Sequence, residues 1–196
     1  MKLIIVSNRL PVTVKEQHNR YKITPSAGGL TTGLNSLETT MEKHWVGWPG
    51  LYLENEKEKA KINHHLDTLN FHPVYLTPIQ IENYYEGYSN SIIWPLSHYF
   101  FSHVRYKNEY WESYKEVNRL FCERVVEVIE PGDIVWVQDY QLMLLPQMIR
   151  DVQPNINIGY FHHIPFPSYE LFRCLPERAE ILEGLLGADL LAFHTH

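Results

Sequence analysis

The sequence predicts an α/β fold, a doubly wound parallel sheet, on three observations. Short apolar runs rich in β-branched residues alternate with longer segments whose apolar residues fall at helical spacing. The crossovers between the runs are long enough to hold the helices that parallel neighbours require. Polar residues stand directly after several runs, at the carboxyl edge where open α/β sheets bind ligands.

The bulk properties agree. A chain of 196 residues suits one large domain, or one domain with an appendage, and can bury a substantial core. With 44% apolar and 20% charged residues it is not predominantly disordered. A net charge of −6 argues against a nucleic-acid surface, which needs clustered Lys and Arg. Cys122 and Cys174 both fall in helical patterns and read as reduced packing residues rather than a disulfide framework. No charged segment followed by a long apolar run opens the sequence, and nothing approaches the ~20 apolar residues of a membrane span. A cytoplasmic protein is therefore expected.

In chain order, Met1–Arg9 reads as a buried strand with Arg9 at its carboxyl end. Residues 10–24 alternate weakly (Val12, Val14, Tyr21, Ile23) around a polar tip, which suits a β-hairpin insertion. Ser26-Ala27-Gly28-Gly29 then opens a helix marked by Leu30, Leu34, Leu37 and Met41. Free N–H groups at that helix start could receive an anionic ligand, although Gly-Gly before a helix is more often only a tight turn. Trp45–Gly50 is a short strand running into a turn, residues 53–69 a charged surface helix, and Phe71–Leu76 another strand. His64-His65 sits in the surface helix, where adjacent residues diverge by about 100° and do not make a metal site. Tyr84–Leu96 is aromatic, broken by Gly87 and Pro95, and reads as a loop whose rings either pack or stack on a sugar face.

Asn108–Ile129 has the spacing of a long helix, stopped by Pro131-Gly132. The next unit organises the chain: a strand at Ile134–Val137, Asp139 at its end, a helix over 140–151, and a strand at Ile156–Phe161 followed by His162-His163. As a right-handed βαβ unit it brings Asp139 and His163 to one edge. Helices follow around 168–173 and over Glu177–Leu186, then a last strand at Leu190–Phe193.

The carboxyl edge thus gathers Arg9, Gly28, Gly29, Asp139 and His163 near an aromatic segment containing Tyr85 and Trp94. Zinc spacing is lacking, and His194-Thr195-His196 would need a third ligand. The serine-hydrolase elbow and the dinucleotide fingerprint are both missing. Sugar binding or transfer fits better, with rings for the apolar sugar face, carboxylate and imidazole for hydroxyls, and an Arg fork for phosphate.

Six motifs in order make this more specific: Ser7-Asn8-Arg9-Leu10-Pro11, Ser26–Leu30, Trp45-Val46-Gly47-Trp48, Tyr84-Tyr85 through Trp94-Pro95, Asp139-Tyr140, and His163–Pro167. Together they resemble the N-terminal half of the trehalose-6-phosphate synthase family of retaining glycosyltransferases, over essentially the whole chain. The resemblance implies the first Rossmann-like half of a GT-B architecture. Residues 1–196 would form the acceptor-binding domain, and the donor-binding domain would be absent from this chain. It implies Arg9, Trp48, Tyr85 and Trp94 for the acceptor, glucose 6-phosphate. Gly28, Gly29, Asp139 and His163 would face a nucleotide-sugar donor, Asp139 and His163 being the catalytic pair, with no metal or cofactor.

Each position also has a plainer reading: a helix cap for Asp139, a core imidazole for His163, packing for Trp48. The sequence departs from the family's usual His-Asp-Tyr-His-Leu by carrying Gln138 and Gln141 around Asp139. That puts in doubt a proton relay through those neighbours and leaves room for another acceptor, such as glycerol 3-phosphate. The donor's nucleotide, UDP, GDP or ADP, stays open, as does a homo-oligomer. Lacking the cationic half of the cleft, the chain alone is expected to be inactive. A non-catalytic sugar-phosphate-binding module is the alternative.

Overall fold

The computed structural model describes residues 1–17, 20–26 and 39–194. Six strands form one parallel sheet: β1 Lys2–Arg9, β4 Glu42–Trp48, β5 Phe71–Pro73, β6 Ile134–Gln138, β7 Asn157–His162 and β8 Leu190–Phe193. Between β1 and β4 stands an antiparallel hairpin, β2 Val12–Gln17 with β3 Arg20–Pro25. The sheet order is β5-β4-β1-β6-β7-β8. The chain winds outward from β1 in one direction, returns, and continues on β1's other side with β6. The reversal between β1 and β6 opens a crevice at their carboxyl ends.

Alternation along β1 builds two cores. Ile4 and Val6 face one side with Val135, Val137, Ile158 and Tyr160, while Leu3 and Ile5 face the other with Trp45, Val12 and Val14. A sheet buried on both faces explains why these strands are continuous apolar runs. On the second face lies α1 Glu56–Asp67, capped by Asn55 and buried through Ile62 and Leu66. His64 and His65 lie in its exposed last turn, as the charged helical pattern leads one to expect.

The first face is covered by a long helical stretch: α2 Pro78–Gln80, a π-helix Ile81–Ile93 and α3 Trp94–Ser97. The aromatic segment is therefore not the loop that Gly87 and Pro95 suggested. Gly87 packs against the ring of Tyr110, where a Cβ would come within 2.6 Å, and Pro95 occupies a first-turn position where its missing N–H is tolerated. Tyr84, Tyr88 and Ile92 are fully buried, at intervals that keep them on one side of a wide helix. Packing, rather than ligand stacking, accounts for these rings.

Two helices, α4 Asn108–Val128 and α5 Leu145–Val152, complete this face, with α6 Tyr169–Phe172 and α7 Arg178–Leu186 beyond. The helix expected over 140–151 is split. A 3-10 turn, Tyr140–Leu142, precedes α5, because Pro146 sets a new first turn. Phe71–Leu76 is shorter than expected, its strand ending at Pro73, and the strand expected to end at Phe161 takes in His162. Gly28, Gly29 and the helix expected after them lie outside the described residues. Among the described residues, no helix is long and apolar enough to cross a membrane.

Candidate functional site

A cavity of about 470 Å³ opens at the carboxyl ends of β1 and β6. Its walls include Asn8, Arg9, Tyr85, Gln138, Asp139 and Gln141. The tip of β1 is shaped from beneath. The Trp45 indole donates to Ser7 Oγ at 2.7 Å, and that hydroxyl donates to the Arg9 carbonyl at 2.7 Å. Tyr84 on the π-helix donates to Asn8 Oδ1 at 3.1 Å, so the β1 tip is held from both sides of the sheet. Gly47 on β4 allows this close approach, since a Cβ there would lie 2.7 Å from the Leu10 nitrogen and 2.8 Å from the Arg9 carbonyl carbon.

Arg9 is exposed, and its guanidinium lies 5.1 Å from the centre of the Trp48 ring. Gly50, at φ 86°, leaves room for the guanidinium, because a Cβ there would sit 2.1 Å from Nη2 of Arg9. Trp48 itself is buried, donates to the Leu51 carbonyl at 3.2 Å and does not line the cavity; it is the platform for Arg9. Arg9's fork is thus stacked in place, with its donors available to an anion.

Asp139 follows β6 in a conformation rare for any residue but glycine, φ 73° and ψ 171°. Its N–H donates to the Phe161 carbonyl at 2.8 Å. Oδ1 accepts from the N–H groups of Tyr140 at 3.0 Å and His163 at 3.1 Å. Burial raises its pKa above the usual carboxylate value, against the opposing effect of those two N–H donors. Asp139 therefore does cap the following turn, and it does so while facing the cavity.

His163 is exposed, packs edge-on against His194, and meets Asp139 through its backbone rather than its ring. His162, not His163, is the core imidazole. It is 1% exposed, accepts or donates at Nδ1 with Tyr160 at 3.0 Å, and burial lowers its pKa to about 4. Trp94 is separate from Arg9 and Tyr85. It stacks on His98 and Phe100 and lines a second cavity of about 400 Å³ with Asn90, Ser91 and His103. Asn90 connects the two regions, because its Oδ1 accepts from the Tyr140 hydroxyl at 2.9 Å.

Asn8, Gly50 and the cavity-facing roles of Gln138 and Gln141 escape a reading based on charge and aromaticity. The positive φ of Gly50 had one sequence signal, the Pro49-Gly50 turn. Among the described residues, no group of three or more His, Cys, Asp or Glu could hold a metal ion. Among the described residues, the cavity wall carries a stacked cation, a desolvated carboxyl, amides and a tyrosine, a set suited to a hydroxyl-rich anion.

Comparison with known proteins identifies the family. The description "Glycosyltransferase family 20" matches residues 1–196. The chain is 44% identical over 200 residues to the α,α-trehalose-phosphate synthase (UDP-forming) of Emericella nidulans, an alignment covering all of this chain and 40% of that protein. It superposes on an α,α-trehalose-phosphate synthase (UDP-forming) from Burkholderia xenovorans, solved in complex with glucose-6-phosphate. There the TM-score is 0.79 and the identity 29%, over all of this chain and 40% of that one. The N-terminal domain of Candida albicans trehalose-6-phosphate phosphatase matches with a TM-score of 0.78 and 30% identity, over 99% of this chain and 40% of that one. The chain spans about 40% of the length of these relatives, and its sheet is the Rossmann-like first half of the GT-B architecture. The chain belongs to glycosyltransferase family 20.

Proposed function

We propose that this chain is the acceptor-binding half of an enzyme that transfers glucose with retention from UDP-glucose to glucose 6-phosphate, giving α,α-trehalose 6-phosphate. The observation that carries this reading is the cavity at the β1/β6 reversal, where Arg9 and Asp139 line the same walls. Arg9 takes the phosphate of the acceptor by its fork. Tyr85 covers the sugar, and Asp139 accepts from hydroxyls. Trp94 extends the acceptor surface from the neighbouring cavity, and Trp48 acts through Arg9. Gly28 and Gly29 contact the donor, and His163 joins Asp139 at the transferred glucose.

In this reaction the bond between the glucose anomeric carbon and the UDP phosphate oxygen breaks. The acceptor's anomeric oxygen bonds to that carbon on the same face, and its proton passes to the departing phosphate. No protein nucleophile is needed, so the work is positioning and charge stabilisation. The donor diphosphate is held by a second domain outside this chain, and the chain alone binds acceptor without transferring glucose. The UDP carrier is supported by the UDP-forming relatives. A second reading, a sugar-phosphate-binding module without transfer, is favoured by the likeness to the N-terminal domain of a phosphatase.

Arg9→Ala tests the acceptor assignment. By calorimetry it is expected to weaken glucose 6-phosphate binding roughly 10- to 100-fold, the size of one lost charged hydrogen-bonding group. The melting temperature is expected to stay close to wild type, because Arg9 is exposed. Arg9→Lys recovers part of the affinity. Unchanged affinity in Arg9→Ala would remove the phosphate from this end of the cavity.

A further inference from the structure

Gln138 is the last residue of β6, two residues beyond Trp136 and so on the same side of the strand. That side faces the hairpin, and here the apolar core gives way to the cavity. The side chain is 2% exposed, yet its Nε2 has no hydrogen-bond partner. Its neighbours on the cavity wall differ. Ser7 Oγ both accepts and donates, Asn8 Oδ1 accepts from Tyr84, and Asp139 Oδ1 accepts from two N–H groups. Among the described residues, the buried side-chain polar atoms without a partner include one from a residue lining this cavity, and it is that of Gln138. Native folds seldom bury an amide donor unpaired, since its lost hydration is not replaced. A buried donor left unpaired in a residue that lines a ligand-sized cavity is one that a bound ligand can satisfy.

We infer that Gln138 is a specificity-determining residue whose Nε2 donates a hydrogen bond to a hydroxyl oxygen of the sugar phosphate in this cavity. The inference rests on the acceptor reading above and adds which neutral group reads the sugar. Arg9 offers charge to the phosphate, whereas an uncharged amide matches an uncharged hydroxyl. An analogue lacking that hydroxyl leaves the amide unpaired again, and a site built this way rejects it strongly.

The experiment is calorimetric titration of the wild-type chain, Gln138→Met and Arg9→Ala with glucose 6-phosphate and with its 2-, 3- and 4-deoxy analogues, alongside melting temperatures without ligand. The wild type is expected to bind one deoxy analogue at least about tenfold more weakly than the parent sugar phosphate. Gln138→Met is expected to bind the parent about tenfold more weakly and that analogue equally well, with an unchanged or raised melting temperature because Nε2 bonds to nothing in the protein. Gln138→Glu keeps the shape, replaces the donor by an acceptor, and is expected to lose parent binding as well. Binding that falls in Arg9→Ala but keeps its strength and deoxy pattern in Gln138→Met overturns this inference alone. So does a melting temperature lowered by several degrees in Gln138→Met with affinities unchanged, which would make Gln138 a packing residue. Absence of glucose 6-phosphate binding by the wild type overturns the acceptor reading and this inference with it.

Discussion

Asp139→Ala is expected to unfold at lower denaturant than Asp139→Gly, and neither is expected to bind the acceptor. Both substitutions remove the carboxylate oxygen that accepts from the N–H groups of Tyr140 and His163. The bond from the exposed His163 N–H is worth about 0.5–1.5 kcal/mol, since water can replace the carboxylate there, and the part-buried Tyr140 N–H left open costs up to about 1–3 kcal/mol. Only alanine also keeps a Cβ at φ 73° and ψ 171°, a conformation that costs roughly 1–3 kcal/mol for a residue other than glycine. The difference between the two variants in equilibrium unfolding therefore reports the backbone strain less the extra unfolded-state entropy of glycine, roughly 0.5–1 kcal/mol. An Asp139→Gly variant less stable than Asp139→Ala would show that the turn relaxes freely and that Asp139 is held in no special conformation.

The same residue sets a pH dependence. Burial raises the native pKa of Asp139 above its unfolded value, near 3.9. Between those two values the folded chain binds a proton that the unfolded chain has released, so this residue's contribution to stability falls as pH rises through the interval. The stability of wild type relative to Asp139→Asn is expected to decline over that range and then level off. A carboxyl whose ionised form is disfavoured by burial, on a strained backbone beside a cavity, is the kind of group that functional sites hold, and it supports the role proposed for Asp139 above.

Tyr114→Phe is expected to be the most damaging change of a single oxygen atom, at roughly 2–4 kcal/mol in chemical denaturation. Tyr114 is fully buried on α4. Its hydroxyl donates to the Tyr140 carbonyl at 2.7 Å and accepts from the Met143 N–H at 3.1 Å. Both backbone groups belong to the turn carrying Asp139–Leu142, and no water reaches them. Asn118, one helical turn along, donates to the Gln141 carbonyl at 3.1 Å and holds the same turn. Acceptor affinity should therefore fall together with stability, in contrast to Arg9→Ala, where affinity alone falls. A loss under about 0.5 kcal/mol would mean that this turn is held by packing, without help from α4.

Much of this was legible because strands and crossover helices state themselves in apolar periodicity. Ile134–Val137 and Ile156–Phe161, with Asp139 and His163 behind them, needed only a right-handed βαβ connection to be placed at one edge. The π-helix Ile81–Ile93 was not legible. Gly87 and Pro95 normally break helices, and their roles here, beside the Tyr110 ring and in a first turn, depend on tertiary contacts. Trp48 as a platform, Gly50 as the space for Arg9 and the open amide of Gln138 likewise exist only once β1, β4 and β6 lie side by side. Of the adjacent imidazoles, strand alternation buries His162 and exposes His163, a difference that hinged on whether the strand ended one residue later.

A crystal structure of the chain with glucose 6-phosphate tests the central claim most directly. The ligand is expected in the cavity between the ends of β1 and β6, its phosphate within hydrogen-bonding distance of the Arg9 guanidinium and its hydroxyls against Asp139. A sugar phosphate bound elsewhere, or an empty cavity at saturating ligand with the fold intact, would contradict the account.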